Sequence, residues 1–192
     1  MRLYTYKMVV DQGSAPNPFH GRCTLAICKP VIRRVAKPGD LVVGIGSKKL
    51  GHPDKVIYAM QVERSLPIAD YYHAYPEKRP DWYSGIFERQ IGDAIYNLDN
   101  LNQPKLLKSV HTLKDMPRDL SGLNVLTSSL FYYFGHNAPD IPNHLSHLSE
   151  VKRGHRSISN LGQIKEFEDW IRTHQSGIQG SPIDSGDFLI CQ

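Results

Sequence analysis

Two prolines, Pro16 and Pro18, enclose Asn17 in the run Ala15-Pro16-Asn17-Pro18-Phe19. Each ring fixes φ and removes a backbone donor, and each restricts the residue before it. Neither a helix nor a central strand can run through such a segment, so residues 11–22, punctuated by Gly13 and Gly21, must form a loop. A basic segment, Lys29-Pro30-Val31-Ile32-Arg33-Arg34, comes next, and then Gly39-Asp40 leads into the apolar run Leu41-Val42-Val43. The stretch 11–47 organises the rest of the chain, and its rigid loop, presenting Asn17 and Phe19, is the first candidate for a binding surface.

Short strands and helices are expected on either side. Residues 2–10 put Tyr4, Tyr6, Met8 and Val10 on one parity and predict a strand buried on its Tyr/Met face. Pro30 can open a short helix, since the first helical turn tolerates a missing N–H. In that helix Val31, Ile32 and Val35 face inward while Arg33 and Arg34 reach outward. Residues 40–47 predict a strand in which Gly44 and Gly46 mark a bulge or a close approach. Across the turn 48–54 it pairs as an antiparallel hairpin with a strand over 55–63. A short helix is expected over 68–75, irregular chain over 97–121, strands over 123–126 and 131–134, and a turn over 135–142. Leu161, Ile164, Phe167 and Ile171 recur at helical spacing and predict a helix over 159–175 that Gly177 terminates. Residues 187–191 read as an edge strand. No internal repeat or low-complexity linker divides the chain, so 1–192 reads as a single domain.

The hydrophobic share of 40% and charged share of 22% are those of an ordinary soluble globular chain. No apolar stretch approaches the ~18 residues of a membrane span, and the N-terminus lacks the pattern of a signal peptide. Cys23, Cys28 and Cys191 are too few for a disulfide framework, so a reducing, cytoplasmic setting is expected. Residues 1–56 carry ten Lys/Arg against three Asp/Glu, whereas the remainder carries 13 against 16. That asymmetry suggests a face for a polyanion, or simply a solvated surface.

The order SAPNPF, CTLAICKPxIRR, GDLVVGIGS, VIYAMQV, GDAIY and FYYFG resembles a small bacterial and phage family, the nucleotide-modification-associated domain, type 2. The resemblance spans residues 1–142; residues 143–192 match no motif and read as a C-terminal helical extension. It implies systems that make, or respond to, modified DNA bases. The unit of basic helix, Gly-Asp, glycine-bearing strand, turn and strand is also similar to the PUA-like group, which includes EVE, ASCH and YTH domains. Those are small barrels that bind nucleic acid, often with one base in a pocket. The fold so implied is α+β: a mostly antiparallel PUA-like β-barrel with flanking helices and a C-terminal helix packed outside.

A base-reading site needs a π-face and an amide or carboxylate for the base edge. Asn17, Phe19, Asp93, Tyr96, Tyr133 and Phe134 are the base- or nucleotide-binding candidates, and Lys29, Arg33, Arg34, Lys48 and Lys49 the phosphate-binding ones. The competing reading makes Phe19, Tyr96 and Phe134 core residues and Asn17 a turn cap. His20, Cys23 and Cys28 have spacings a metal could use but lack a fourth ligand, so no metal and no cofactor is expected. No Walker loop, deaminase signature or nucleophile elbow is present. Asp11, His20, Asp40 and Asp93 could still form an acid/base set with Ser14 or Cys23. The expected function is recognition of a modified base or nucleotide, with nucleic acid or nucleotide as partner. An enzyme acting on that base, glycosylase- or transferase-like, and a protein-interaction adaptor are the alternatives.

Overall fold

Described over residues 1–151 and 154–185 by a computed structural model, the chain builds its main sheet around strand β1 (Leu3–Met8). The expected edge strand over 187–191 lies outside the described residues. In β1, Leu3, Tyr4, Thr5 and Tyr6 are all buried, so both parities face protein rather than the Tyr/Met face alone. A short strand β2 (Cys23–Leu25) and helix α1 (Pro30–Val35) follow, then β3 (Leu41–Gly46). β3 lies parallel to β1, with Leu3 opposite Leu41 and Met8 opposite Gly46. Parallel neighbours need a crossover connection, and residues 9–40 supply it.

The hairpin partner β4 (Val56–Gln61) pairs antiparallel with β3, as expected, and the register shifts between Gly44 and Ile45. The glycines there permit close packing. A Cβ on Gly44 would run into the Met8 sulfur and the Tyr58 ring, and one on Gly46 into the His52 carbonyl.

Strand β5 (Arg64–Pro67) and helix α2 (Ile68–Ala74) come next, followed by a 3-10 turn over Pro76–Lys78 and helix α3 (Phe87–Gln90). The stretch expected to be irregular holds a two-stranded ladder, β6 (Tyr96–Asn97) with β7 (Lys105–Leu106), and helix α4 (Met116–Leu120). Strand β8 (Asn124–Ser128) joins β2 and β5 in a small antiparallel sheet, ordered β2–β8–β5, and β9 (Phe131–Tyr133) returns to the main sheet beside β4.

Beyond residue 142 the chain does more than add a helix. A 3-10 segment (Asn143–Ser149) precedes β10 (Arg156–Ile158), α5 (Leu161–Ile171) and β11 (Gly177–Ile178). β10 pairs with β1 and β11 with β9, so both edges of the main sheet, ordered β10–β1–β3–β4–β9–β11, come from this segment. Leu145, Leu148, Ile158, Ile164, Phe167 and Ile171 are buried in the same cluster as β1, β3 and β4. Asn160 caps α5 by accepting from the Gln163 N–H. Leu161 is exposed, and Gly177 opens β11 instead of ending the helix.

The α+β class holds, but the barrel is corrected. Among the described residues the main sheet is open, and two of its pairings, β1–β3 and β9–β11, are parallel. A mostly antiparallel closed barrel fits neither fact, and the PUA-like likeness gains no support.

Candidate active site

Strand β2 runs through Ala26 and Ile27 into two consecutive left-handed residues, Cys28 (φ 58°) and Lys29 (φ 39°), just before Pro30 opens α1. Non-glycine residues hold this conformation only where surrounding bonds enforce it. Here the Cys28 N–H donates to Asp119 Oδ1 (2.9 Å), and the Cys28 carbonyl accepts from Arg33 Nε (2.7 Å). The same guanidinium donates to the Asn124 carbonyl (2.9 Å) and to that of Asp119, tying the turn to β8 and α4.

Arg33 is therefore fully buried, which corrects its expected place among outward-reaching cations. Burial lowers its proton affinity to about 10 although Asp119 pulls the other way. Three carbonyls satisfy it in a helix too short to hide all its apolar residues, and Val31 and Val35 stay exposed instead.

The turn aims the Cys28 thiol at His111. Sγ lies 3.6 Å from His111 Nε2, and His111 Nδ1 lies 2.5 Å from Asp119 Oδ2. An ionised carboxylate only accepts, so Nδ1 carries a hydrogen and Nε2 is the nitrogen presented to sulfur. Tyr96 donates its hydroxyl to the same Asp119 oxygen (2.9 Å). Burial works against the imidazolium, yet its bonds to Asp119 and Cys28 outweigh it and push His111 up to about 9. Burial alone would raise Asp119; the bond and charge of His111, the Cys28 N–H and the Tyr96 hydroxyl bring it below the usual carboxylate range.

A cavity of about 330 Å³ opens on this group, lined by Tyr6, Gln12, Ser14, Lys29 and Asp115 among others. Gln12 and Ser14 make no side-chain hydrogen bond among the described residues. The Lys29 ammonium lies 4.2 Å from the centre of the Tyr6 ring.

Cys28, His111 and Asp119 also form the one cluster of metal-ligand type among the described residues, with their donor atoms within 4.8 Å of one another. Sulfur and carboxylate flank opposite nitrogens of the ring, however, and Asp119 already serves three donors. One ion could not collect all three groups without turning the imidazole. The geometry is that of a nucleophile, a base and an orienting carboxylate.

Most of the expected site residues lie elsewhere. Asn17 is fully buried, with Nδ2 donating to the Ile91 carbonyl (2.8 Å) and Oδ1 accepting from Lys78 Nζ (2.7 Å). That ammonium, also fully buried, donates to the Phe19 and Arg22 carbonyls (2.7 and 2.6 Å), and burial lowers its proton affinity to about 8. The proline loop is thus pinned from within.

Asp93 accepts from Tyr71 and Thr24, and Tyr133 donates to Asp11 (2.6 Å), all inside the protein. Phe134 is buried against the His174 ring. Phe19 borders a larger hollow of about 730 Å³ whose titratable side chains are His20 and Glu88. Among the described residues His20 bonds only the Glu88 backbone carbonyl there, and no nucleophile is paired with a base in that hollow. Of the base-binding candidates, Tyr96 reaches the cysteine group through Asp119. Of the cations, Lys29 lines the cavity, Arg34 bonds the Ser121 carbonyl, and Lys48 and Lys49 sit exposed on the β3–β4 turn. Cys23 is sealed in the core and its thiol pushed up to about 12 by burial, so it meets neither His20 nor Cys28 as a ligand set. Asp40 caps backbone N–H groups of Arg2 and Lys37, which leaves the proposed acid/base set dispersed.

Against known proteins, the family described as nucleotide modification associated domain 2 matches residues 1–187, reaching well past the motifs that end near residue 142. The chain belongs to this family. No curated protein and no solved structure matches it. In this nucleotide modification associated domain, the cysteine group brings a thiol, an imidazole and a carboxylate together beside a left-handed turn and a cavity.

Proposed function

We propose that the protein is an enzyme of a DNA-modification system that acts on a nucleobase or nucleotide through a covalent bond to Cys28. The observation that carries the proposal is the Cys28–His111–Asp119 alignment on the wall of the Tyr6 cavity. The thiolate is the nucleophilic form of cysteine, and a cationic histidine beside it is the arrangement that generates it. In an acyl transfer, Sγ bonds to the carbonyl carbon of an acylated amine while the proton on His111 Nε2 passes to the departing nitrogen. Water or an acceptor amine then takes the acyl group from sulfur and returns a proton to Nε2. Asp119 and Tyr96 hold the ring throughout.

Recognition of a modified base without chemistry is the rival reading. It is less well supported, because the Asn17 amide, the Asp93 carboxylate and the Tyr133 and Phe134 rings expected to read a base are spent inside the protein. No described helix is long and apolar enough to cross a membrane, and nucleic acid or nucleotide remains the partner suggested by the family context.

The test is mass spectrometry of nucleosides from modified and plain DNA after incubation with wild type and Cys28→Ser, together with intact-protein mass. A base peak that changes only with wild type, or an adduct on Cys28, supports the enzyme. Unchanged nucleosides, with Cys28 alkylated by iodoacetamide no faster than free cysteine, defeat it.

A further inference from the structure

Resting on the reading of Cys28 as the reacting group, this inference concerns what the substrate must carry. Cys28 and Lys29 stand between two cavities, and together with Val9 they line both. The two differ in chemistry. The first offers the Tyr6 ring, the Gln12 amide, the Ser14 hydroxyl and the Asp115 carboxylate, which suit an uncharged heterocycle with hydrogen-bonding edges. The second, about 370 Å³, has an apolar floor of Pro30, Val31 and Ile32, with Lys29, Arg118 and His155 around it and no carboxylate among the described residues of its lining.

The basic groups of the second cavity work against one another. Burial lowers the proton affinity of Lys29, against the pull of Cys28 and with a smaller push from Arg118. Burial followed by Lys29 does the same to His155. Arg118 reaches back to Asp115 (3.0 Å) through Nη2 and to Asp119 (3.7 Å) through Nε. Its Nη1 makes no hydrogen bond among the described residues, so the guanidinium is positioned at the cavity with donors to spare.

We propose that the second cavity is an anion subsite for the phosphate of the nucleotide whose base occupies the first, with Arg118 setting the requirement for phosphate. A nucleotide bridging the Cys28–Lys29 turn lies alongside the thiol. The phosphate can be the monoester of a free nucleotide or the diester of a strand, and binding distinguishes them.

The experiment is isothermal titration of the protein with each common 2′-deoxynucleoside 5′-monophosphate, the matching nucleosides, and a short single-stranded oligodeoxynucleotide with a 5′-hydroxyl. At least one phosphate-bearing probe should bind on the order of tenfold tighter than its nucleoside. Arg118→Gln should erase that difference and Arg118→Lys should keep part of it. Preference for the monophosphate assigns a free nucleotide, and preference for the oligonucleotide assigns a strand. Equal binding of nucleotide and nucleoside, or a preference that survives Arg118→Gln, overturns the subsite. Iodoacetamide alkylation of Cys28 in the wild type separates the two ideas: phosphate preference with an unreactive thiol removes only the enzyme, and a reactive thiol without phosphate preference removes only the subsite.

Discussion

Replacing His111 with Gln should flatten part of the pH dependence of stability, and the size of the effect follows from the site. Glutamine can still donate to Asp119 but cannot carry a proton. In the folded protein the His111 proton affinity is raised from 6.5 to about 9, because Asp119 and Cys28 outweigh burial. A raised value means the folded state binds the extra proton more tightly than the unfolded chain. The stabilisation is full below pH 6.5 and is lost as pH rises through about 9. A shift of that size corresponds to about 3 kcal/mol, reduced to about 2 kcal/mol because the ring is partly exposed at the cavity.

Lys78 has the opposite sign: its lowered value adds stability between about pH 8 and 10.5. It is common to both proteins, so the difference between wild type and His111→Gln isolates the histidine. Urea unfolding followed by circular dichroism between pH 6 and 9.5 measures it. The wild-type advantage should shrink by about 2 kcal/mol across that range. Parallel curves would mean that His111 is not held as a cation by Asp119, and the account of the site would fail.

Two further substitutions test the architecture. Asn17→Ala orphans the Ile91 carbonyl and removes an acceptor from the Lys78 ammonium, so it should cost about 2–4 kcal/mol in urea unfolding while leaving Cys28 alkylation in the folded protein unchanged. Phe167→Ala, made in the segment beyond residue 142, should cost about 3–5 kcal/mol in a single cooperative transition, because its ring is buried with β1, β3 and β4. A second, separate transition would show that segment to be dispensable.

What could be read from the residues was what local pattern determines. The apolar runs of β3 and β4, the proline-opened α1 and the periodic α5 all appear close to where periodicity puts them. Pairing partners were not legible, because an apolar strand says nothing about whether its neighbour is parallel. β10 and β11 are three and two residues long, too short for any period to register. Arg33 read as surface because charge usually means solvent; only the carbonyls of residues 28, 119 and 124 make its burial possible. His111 and Asp119 fell in a stretch without periodicity, and no fixed spacing links them to Cys28. Cys28 itself reads from the sequence only as a metal-ligand candidate beside His20 and Cys23. Its position just before a helix-opening proline was the one available hint.

The cysteine turn also bears on when the protein becomes reactive. Cys28 is separated from His111 by 83 residues and from Asp119 by 91. A growing chain therefore exposes the thiol long before its base exists. Even a finished but unfolded chain leaves it an ordinary cysteine, because the histidine is recruited only when α4 docks against the turn. Reactivity is thus a property of the folded site, and the rate of Cys28 alkylation during refolding should report when His111 and Asp119 reach the turn.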